Sequence, residues 1–184
     1  MIKLIGISGS LRAGSFNSAL LRAAAAMMPH DAELRIESIA AIPLYDGDVE
    51  NQGIPVAVAR LKDEVAAADG LVLATPEYNN SVPGVAKNAI DWMSRPPSDS
   101  RRVFGGRPVA ILGASPGSFG TALSQAAWLP VFRILGADIW TGPRFALARA
   151  NNAIGANGDL TDPATRELLQ KFVDGFVGYV KQRK

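Results

Sequence analysis

The chain has 184 residues, 48% of them hydrophobic and 20% charged, with a net charge of +2; this balance suits one globular domain over residues 1–184. It has no cysteine and a single histidine, His30, which excludes structural disulfides, thiolate metal sites and thiol catalysis and argues against a His-based hydrolase or metal site. No basic run exceeds Arg101-Arg102, residues 23–28 form too short an apolar tract to span a bilayer, and residues 1–6 lack a secretory pattern, so the expectation is a cytoplasmic protein without nucleic-acid partner, membrane insertion or metal.

Residues 2–7 are apolar and β-branched and predict a buried first strand. Asn17 or Ser18 then caps a helix to about Met28. Residues 33–38 alternate, with Leu34 and Ile36 predicted inward. Residues 42–45 extend into a polar loop, 46–53. Pro55 suits the first turn of a helix running to about Ala68. Residues 70–75 predict a third strand and residues 83–93 a helix with Val85, Ala89 and Trp92 on one side. Residues 94–106, with two prolines, three serines and two glycines, predict a surface connection. A fourth strand follows at 108–112, then a small-residue loop at 113–120. A helix at 121–135 is expected to kink or break at Pro130. A fifth strand is expected at 137–141, with 145–147 as a possible extension. A polar loop at 150–162 leads to a final amphipathic helix, 163–180, with Leu168, Leu169, Phe172, Phe176 and Val180 inward.

The alternation predicts an α/β fold, a five-stranded parallel sheet with helices on both faces and the flavodoxin-like order 2-1-3-4-5. Strands 1 and 3 are then neighbours at the switch point, where ligands sit beyond the carboxyl ends of the strands.

Two loops are therefore expected to face one ligand. The first, Gly9-Ser10-Leu11-Arg12-Ala13-Gly14-Ser15-Phe16-Asn17, offers Ser10, Ser15, Asn17 and helix-start amides to a phosphate, and Arg12 to pair with it. The same residues also suit an ordinary capped turn with an exposed arginine, and this loop alone supports both readings equally. Neither a Walker A lysine nor a G-x-G-x-x-G fingerprint is present, and strand 3 ends in Ala74-Thr75 without a phosphoacceptor aspartate.

The second loop, Thr75-Pro76-Glu77-Tyr78-Asn79-Asn80-Ser81-Val82-Pro83-Gly84, suits a flat ring: Pro76 stiffens the strand exit and Tyr78 can shape a ring face. Glu77 is read as positional, bonding backbone or a neighbouring subunit, rather than as a catalytic acid. Lys87 and Asp91 read as a surface ion pair and Trp92 as core or interface. Ser115 in the third loop offers a hydrogen-bonding group. A phosphate loop beside a ring loop points to a mononucleotide such as FMN.

Gly9-Ser10-Leu11-Arg12-x-x-Ser15-x-Asn17 resembles the phosphate loop of the NADPH-dependent FMN reductase family. Thr75-Pro76-Glu77-Tyr78-Asn79-x-Ser81-x-Pro83-Gly84-x-x-Lys87-Asn88-Ala89-Ile90-Asp91-Trp92 resembles its flavin-ring motif, and Ile42-Pro43-Leu44-Tyr45-Asp46 also matches. The likeness is greatest to the bacterial chromate/quinone reductase branch, which includes azo-dye reductases. The resemblance implies bound FMN near the subunit interface of a homodimer or homotetramer. It implies NADPH or NADH as hydride donor and quinones, azo compounds, chromate or ferric chelates as acceptors. By position it assigns residues 10–17, Phe16 included, to the phosphate. Pro76, Glu77, Tyr78 and Asn79 go to the isoalloxazine, and Ser115 lies near its polar edge. The chain departs from the branch at Ala126-Ala127-Trp128-Leu129-Pro130 and at Pro143-Arg144, regions that tend to contact a neighbouring subunit.

The expected activity is ping-pong hydride transfer through FMN, with no protein side chain needed as catalytic acid or base. The rivals are a one-electron flavodoxin-like carrier, a flavin reductase that releases reduced FMN, and a non-enzymatic flavin-binding regulator.

Overall fold

The computed structural model describes residues 1–184. The strands are β1 (Ile2–Ser8), β2 (Ala32–Glu37), β3 (Gly70–Ala74), β4 (Pro108–Ala114), β5 (Asp138–Ile139) and β6 (Phe145–Leu147). The helices are α1 (Phe16–Ala26), α2 (Gly47–Gln52), α3 (Val56–Ala67), α4 (Gly84–Met93), α5 (Pro97–Phe104), α6 (Ala122–Ile134) and α7 (Pro163–Lys181). The sheet is parallel in the order β2-β1-β3-β4-β5, with β6 also paired to β4. No helix is long and apolar enough to cross a membrane.

The unbroken apolar strands follow from burial on both faces. Along β1, Ile2 and Leu4 join α1 and α7 in one core, while Ile5 and Ile7 join α3, α4, α5 and α6 in the other. Strand β3 alternates likewise, Val72 and Ala74 to the first core and Leu71 and Leu73 to the second. Burial at about 25 cal/mol per Å² of apolar surface makes these two layers the main stabilising contribution.

The fifth strand position is divided between two segments. β5 pairs with Pro108 and Val109, and β6 pairs with Leu112, Gly113 and Ala114. Between them the chain leaves the ladder at residues 140–144, where Pro143 has no amide to donate and the Trp140 ring lies against Gly142.

Several sequence expectations are corrected. Helix α1 is capped by Ser15, not Asn17 or Ser18; the Ser15 Oγ accepts from the Ser18 amide (3.2 Å). Ile36 is exposed, because β2 is an edge strand. Leu168 is 58% exposed, one position off the buried stripe of α7. The polar loop at 46–53 contains α2, whose cap is Asp46 Oδ1 accepting from Asp48 N (2.8 Å). The connection at 94–106 contains α5, which buries Val103 and Phe104. Arg107 fastens its end, donating to the Val103 carbonyl (2.5 Å) and to the carbonyls of Ala66 (3.1 Å) and Ala68 near the end of α3. Helix α6 runs through Pro130 without a break, with Pro130 itself and Ala126, whose carbonyl the missing amide frees, both exposed. The loop at 150–162 is less polar in fact than in composition: Ala150, Ala153, Ile154 and Leu160 are buried.

Candidate active site

The strand register brings the two motifs together. Ser8 pairs with Ala74, and Ala74 with Leu112, so β1, β3 and β4 end side by side. The first residue after each strand is then fixed to its neighbour. Gly9 N donates to Ala74 O (2.8 Å), Thr75 N to Leu112 O (2.8 Å) and Ser115 N to Leu147 O (3.0 Å). Gly9 lies directly against the second loop: a Cβ there would sit 3.0 Å from Pro76 and 3.1 Å from Pro83. A glycine at this position permits the close approach.

The polar groups of the first loop divide into inward and outward sets. Asn17 is buried, and its amide exchanges two hydrogen bonds with the main chain of Ala114. Nδ2 donates to the Ala114 carbonyl and Oδ1 accepts from the Ala114 amide, both at 2.9 Å. Its side chain is thus a bracket between the first and third loops, not the free donor expected from sequence. Ser8 and Ser18 are joined by an Oγ–Oγ bond of 2.9 Å. Phe16 packs against the α1–α7 core. The outward set comprises Ser10, whose Oγ accepts from Arg12 N (3.3 Å), and Arg12, which folds onto the Gly14 carbonyl (3.1 Å). Ser15 is buried, and its Oγ accepts from Ser18 N while its hydroxyl proton has no acceptor in the protein. The amides of Phe16 and Asn17 have no acceptor in the protein, and residues 8–17 include no carboxylate. This donor set fits a phosphate monoester.

The second loop is held from behind. Glu77 Oε2 accepts from the amides of Leu123 (2.8 Å) and Ser124 (3.0 Å), capping α6, whose N-cap residue Thr121 makes no side-chain cap bond. Thr75 Oγ1 meets Ser124 Oγ (2.8 Å) and accepts from Trp128 Nε1 (2.9 Å), a fully buried network. Residues 78–81 form a tight turn closed by two main-chain bonds, with positive φ at Asn79 (50°) and Asn80 (61°), a conformation that asparagine tolerates. The turn leaves Tyr78 45% exposed. Ser115 Oγ accepts from Gly117 N (2.9 Å) and bends the third loop. A rigid wall carrying one open aromatic side chain suits a flat ring, and together the two loops fit FMN.

The Pro43–Asp46 motif packs beside this wall. Asn88 Nδ2 (2.7 Å) and Trp92 Nε1 (2.9 Å) both donate to the Pro43 carbonyl, and Asn88 Oδ1 accepts from Tyr45 N (2.8 Å). Tyr45 stands edge-on to Trp92 at 5.0 Å and donates to Glu50 (2.7 Å). Hydrogen bonds from Arg95 and then Tyr45 hold the Glu50 carboxyl below its usual range, and Glu50 in turn raises the Tyr45 phenol. Lys87 and Asp91 form the expected ion pair (2.7 Å).

Of the site residues expected from sequence, the structure gathers Ser10, Arg12, Ser15, Asn17, Pro76, Glu77, Tyr78, Asn79 and Ser115 at the carboxyl edge of the sheet. It turns Asn17, Glu77 and most of Phe16 toward the protein. The Thr75–Ser124–Trp128 network and the Asn88 clasp were not foreseen, although Thr75 and Asn88 both lie within the quoted motif.

The family model for NADPH-dependent FMN reductase matches residues 2–152. The chain belongs to that family. It is 45% identical over 181 residues to an NAD(P)H-dependent FMN reductase of Pseudomonas aeruginosa, spanning 98% of this chain and 96% of the relative. It is 36% identical over 186 residues to a quinone reductase of Escherichia coli K12, spanning 100% and 97%. Among solved structures it resembles FerB, the flavoenzyme NAD(P)H:(acceptor) oxidoreductase of Paracoccus denitrificans, with a TM-score of 0.89, 34% identity and coverage of 99% and 98%. FMN and NAD(P)H are therefore the family's cofactors, and the chain is an oxidoreductase.

Replacing Asn17 by Ala is expected to strand the buried Ala114 amide and carbonyl, costing about 2–4 kcal/mol, and to weaken FMN binding as the loops separate. Thermal melts of the FMN-free protein together with FMN titrations check this. Unchanged stability with weakened FMN binding would show that the side chain serves the phosphate directly.

Proposed function

We propose that residues 1–184 form one FMN-binding domain that transfers reducing equivalents from NADPH or NADH to quinones. Azo compounds, chromate and ferric chelates are further acceptors for the same open pocket. The observation that carries this reading is the contact of the two loops at Gly9. It joins a carboxylate-free, donor-rich loop to a rigid wall with Tyr78 exposed. A relative from Burkholderia, 39% identical over 183 residues and spanning 98% of that protein, is a 2-hydroxy-1,4-benzoquinone reductase, which supports a quinone as acceptor.

Bound FMN supplies the two-electron redox chemistry. Ser10, Ser15, Arg12 and the amides of Phe16 and Asn17 would bind its phosphate. Pro76, Tyr78, Asn79 and Ser115 would border its ring, and Glu77 orients the ring loop through the start of α6. No side chain in the crevice is assigned a proton, in keeping with hydride donor and acceptor using one pocket in turn.

The same proposal includes a homodimer or homotetramer with FMN near the interface, acting in the cytoplasm, where its pyridine-nucleotide reductant is made. Apolar side chains left exposed beside the site support the assembly: Phe119 at 82%, Leu44 at 83%, and Leu123 and Leu129 on α6. Arg144, where the branch often has a glutamate, donates instead to the Ala122 carbonyl (2.7 Å) within the chain.

Under anaerobic conditions, stoichiometric NADPH is expected to bleach the bound flavin fully, and 1,4-benzoquinone to restore its absorbance. Flavin that NADPH leaves oxidised would favour the regulator reading. Light-scattering mass is expected to fall to that of one chain on Phe119→Asp with Leu129→Glu; a wild-type mass already equal to one chain would overturn the assembly.

A further inference from the structure

A second cavity adjoins the phosphate loop on its far side. It has a volume of about 430 Å³ and lies between the start of α1, with Gly14, Phe16 and Arg22, and the loop after β6, with Ile154, Asn157 and Gly158. It is large enough for a phosphorylated sugar or a nucleotide fragment. The loop wall is built rather than slack. Ile154 and Leu160 form a bridge, Gly155 N donates to Asp159 O (2.9 Å), Gly158 N to Gly155 O (2.9 Å), and Asn157 Oδ1 accepts from Asp159 N (3.1 Å). The amides of Ala156 and Asn157 at the tip have no acceptor in the protein. These residues lie beyond the stretch that the family model matches, which ends at residue 152.

The charge in this cavity is uncompensated. Elsewhere about half of the arginines and lysines are matched by carboxylates, as in Arg35–Glu64, Lys62–Asp99, Arg95–Glu50 and Arg183–Asp138. Arg22 forms no ion pair, and no carboxylate lines the cavity. Its guanidinium lies over the Gly158 backbone: Gly158 has φ +82°, and a Cβ there would be 2.7 Å from Arg22 Nη2. A free guanidinium, free amides and room for a sugar beside the flavin phosphate loop match a terminal phosphate monoester.

We propose that this cavity is a binding subsite for the 2′-phosphate of NADPH, with Arg22 as the residue that distinguishes NADPH from NADH. The inference rests on the flavoenzyme reading above. Of the two hydride donors, NADPH carries this group as a monoester and NADH does not; NADH has only the pyrophosphate linkage.

The test uses the full chain saturated with FMN and titrates adenosine 2′-monophosphate and adenosine 5′-monophosphate by calorimetry, with FMN affinity measured in parallel. The 2′-isomer is expected to bind the wild type more tightly than the 5′-isomer. Arg22→Ala is expected to weaken the 2′-isomer at least about tenfold, Arg22→Lys less, and both to leave FMN affinity within about twofold, well under the cost of one such lost bond. Indistinguishable isomers on the wild type would overturn the proposal. So would a loss of FMN affinity in Arg22→Ala, which would assign Arg22 to the flavin phosphate. A wild-type chain that takes up no FMN would instead fail the flavoenzyme reading itself, and the FMN titration shows that separately.

Discussion

Three parallel strands, β1, β3 and β4, end side by side, and the functional features of the molecule depend on that constraint. A parallel sheet buried on both faces leaves only the carboxyl edge free to vary. There the chain must turn from strand to helix three times within a small area. Each turn begins with an amide bonded to the neighbouring strand, so the loops inherit the rigidity of the sheet. The Asn17 bracket to Ala114 then couples the first and third turns across 97 residues of sequence. A site assembled this way is preorganised, and little ordering cost remains for the ligand to meet.

The polar side chains of the site do two different jobs. Asn17, Glu77, Thr75 and Asn88 satisfy main-chain or buried groups and fix the positions of loops. Ser10, Arg12 and the amides at the head of α1 keep hydrogen-bonding capacity for a ligand. The first group carries the energetic penalty if removed, because a buried group left unpaired costs about 1–3 kcal/mol. The second group costs the fold little and bears on binding.

Most of the architecture was legible because period and burial agree. Strands such as Gly70–Ala74, buried at every position, advertise themselves as apolar runs between turn residues. What escaped was set by tertiary contact. Helices α2 and α5 are short and polar in composition, and α5 owes its place to Val103 and Phe104 at its end and to Lys62, Asp99 and Arg107 around it. Leu168 and Ile36 are apolar residues at positions that the packing leaves bare. At the site the residue types were readable but their directions were not. An asparagine in a phosphate loop looks the same in sequence whether its amide faces a phosphate or, as here, the backbone of a strand 97 residues away.

Hydrogen exchange on the FMN-free and FMN-saturated protein tests the location of the cofactor most directly. FMN is expected to protect the amides of Phe16 and Asn17, the 78–80 turn and the 115–118 loop, while the cavity between α6 and residues 139–144 stays unchanged. Protection confined to that other cavity, or spread evenly over the chain, would contradict the placement of FMN at the carboxyl ends of β1, β3 and β4.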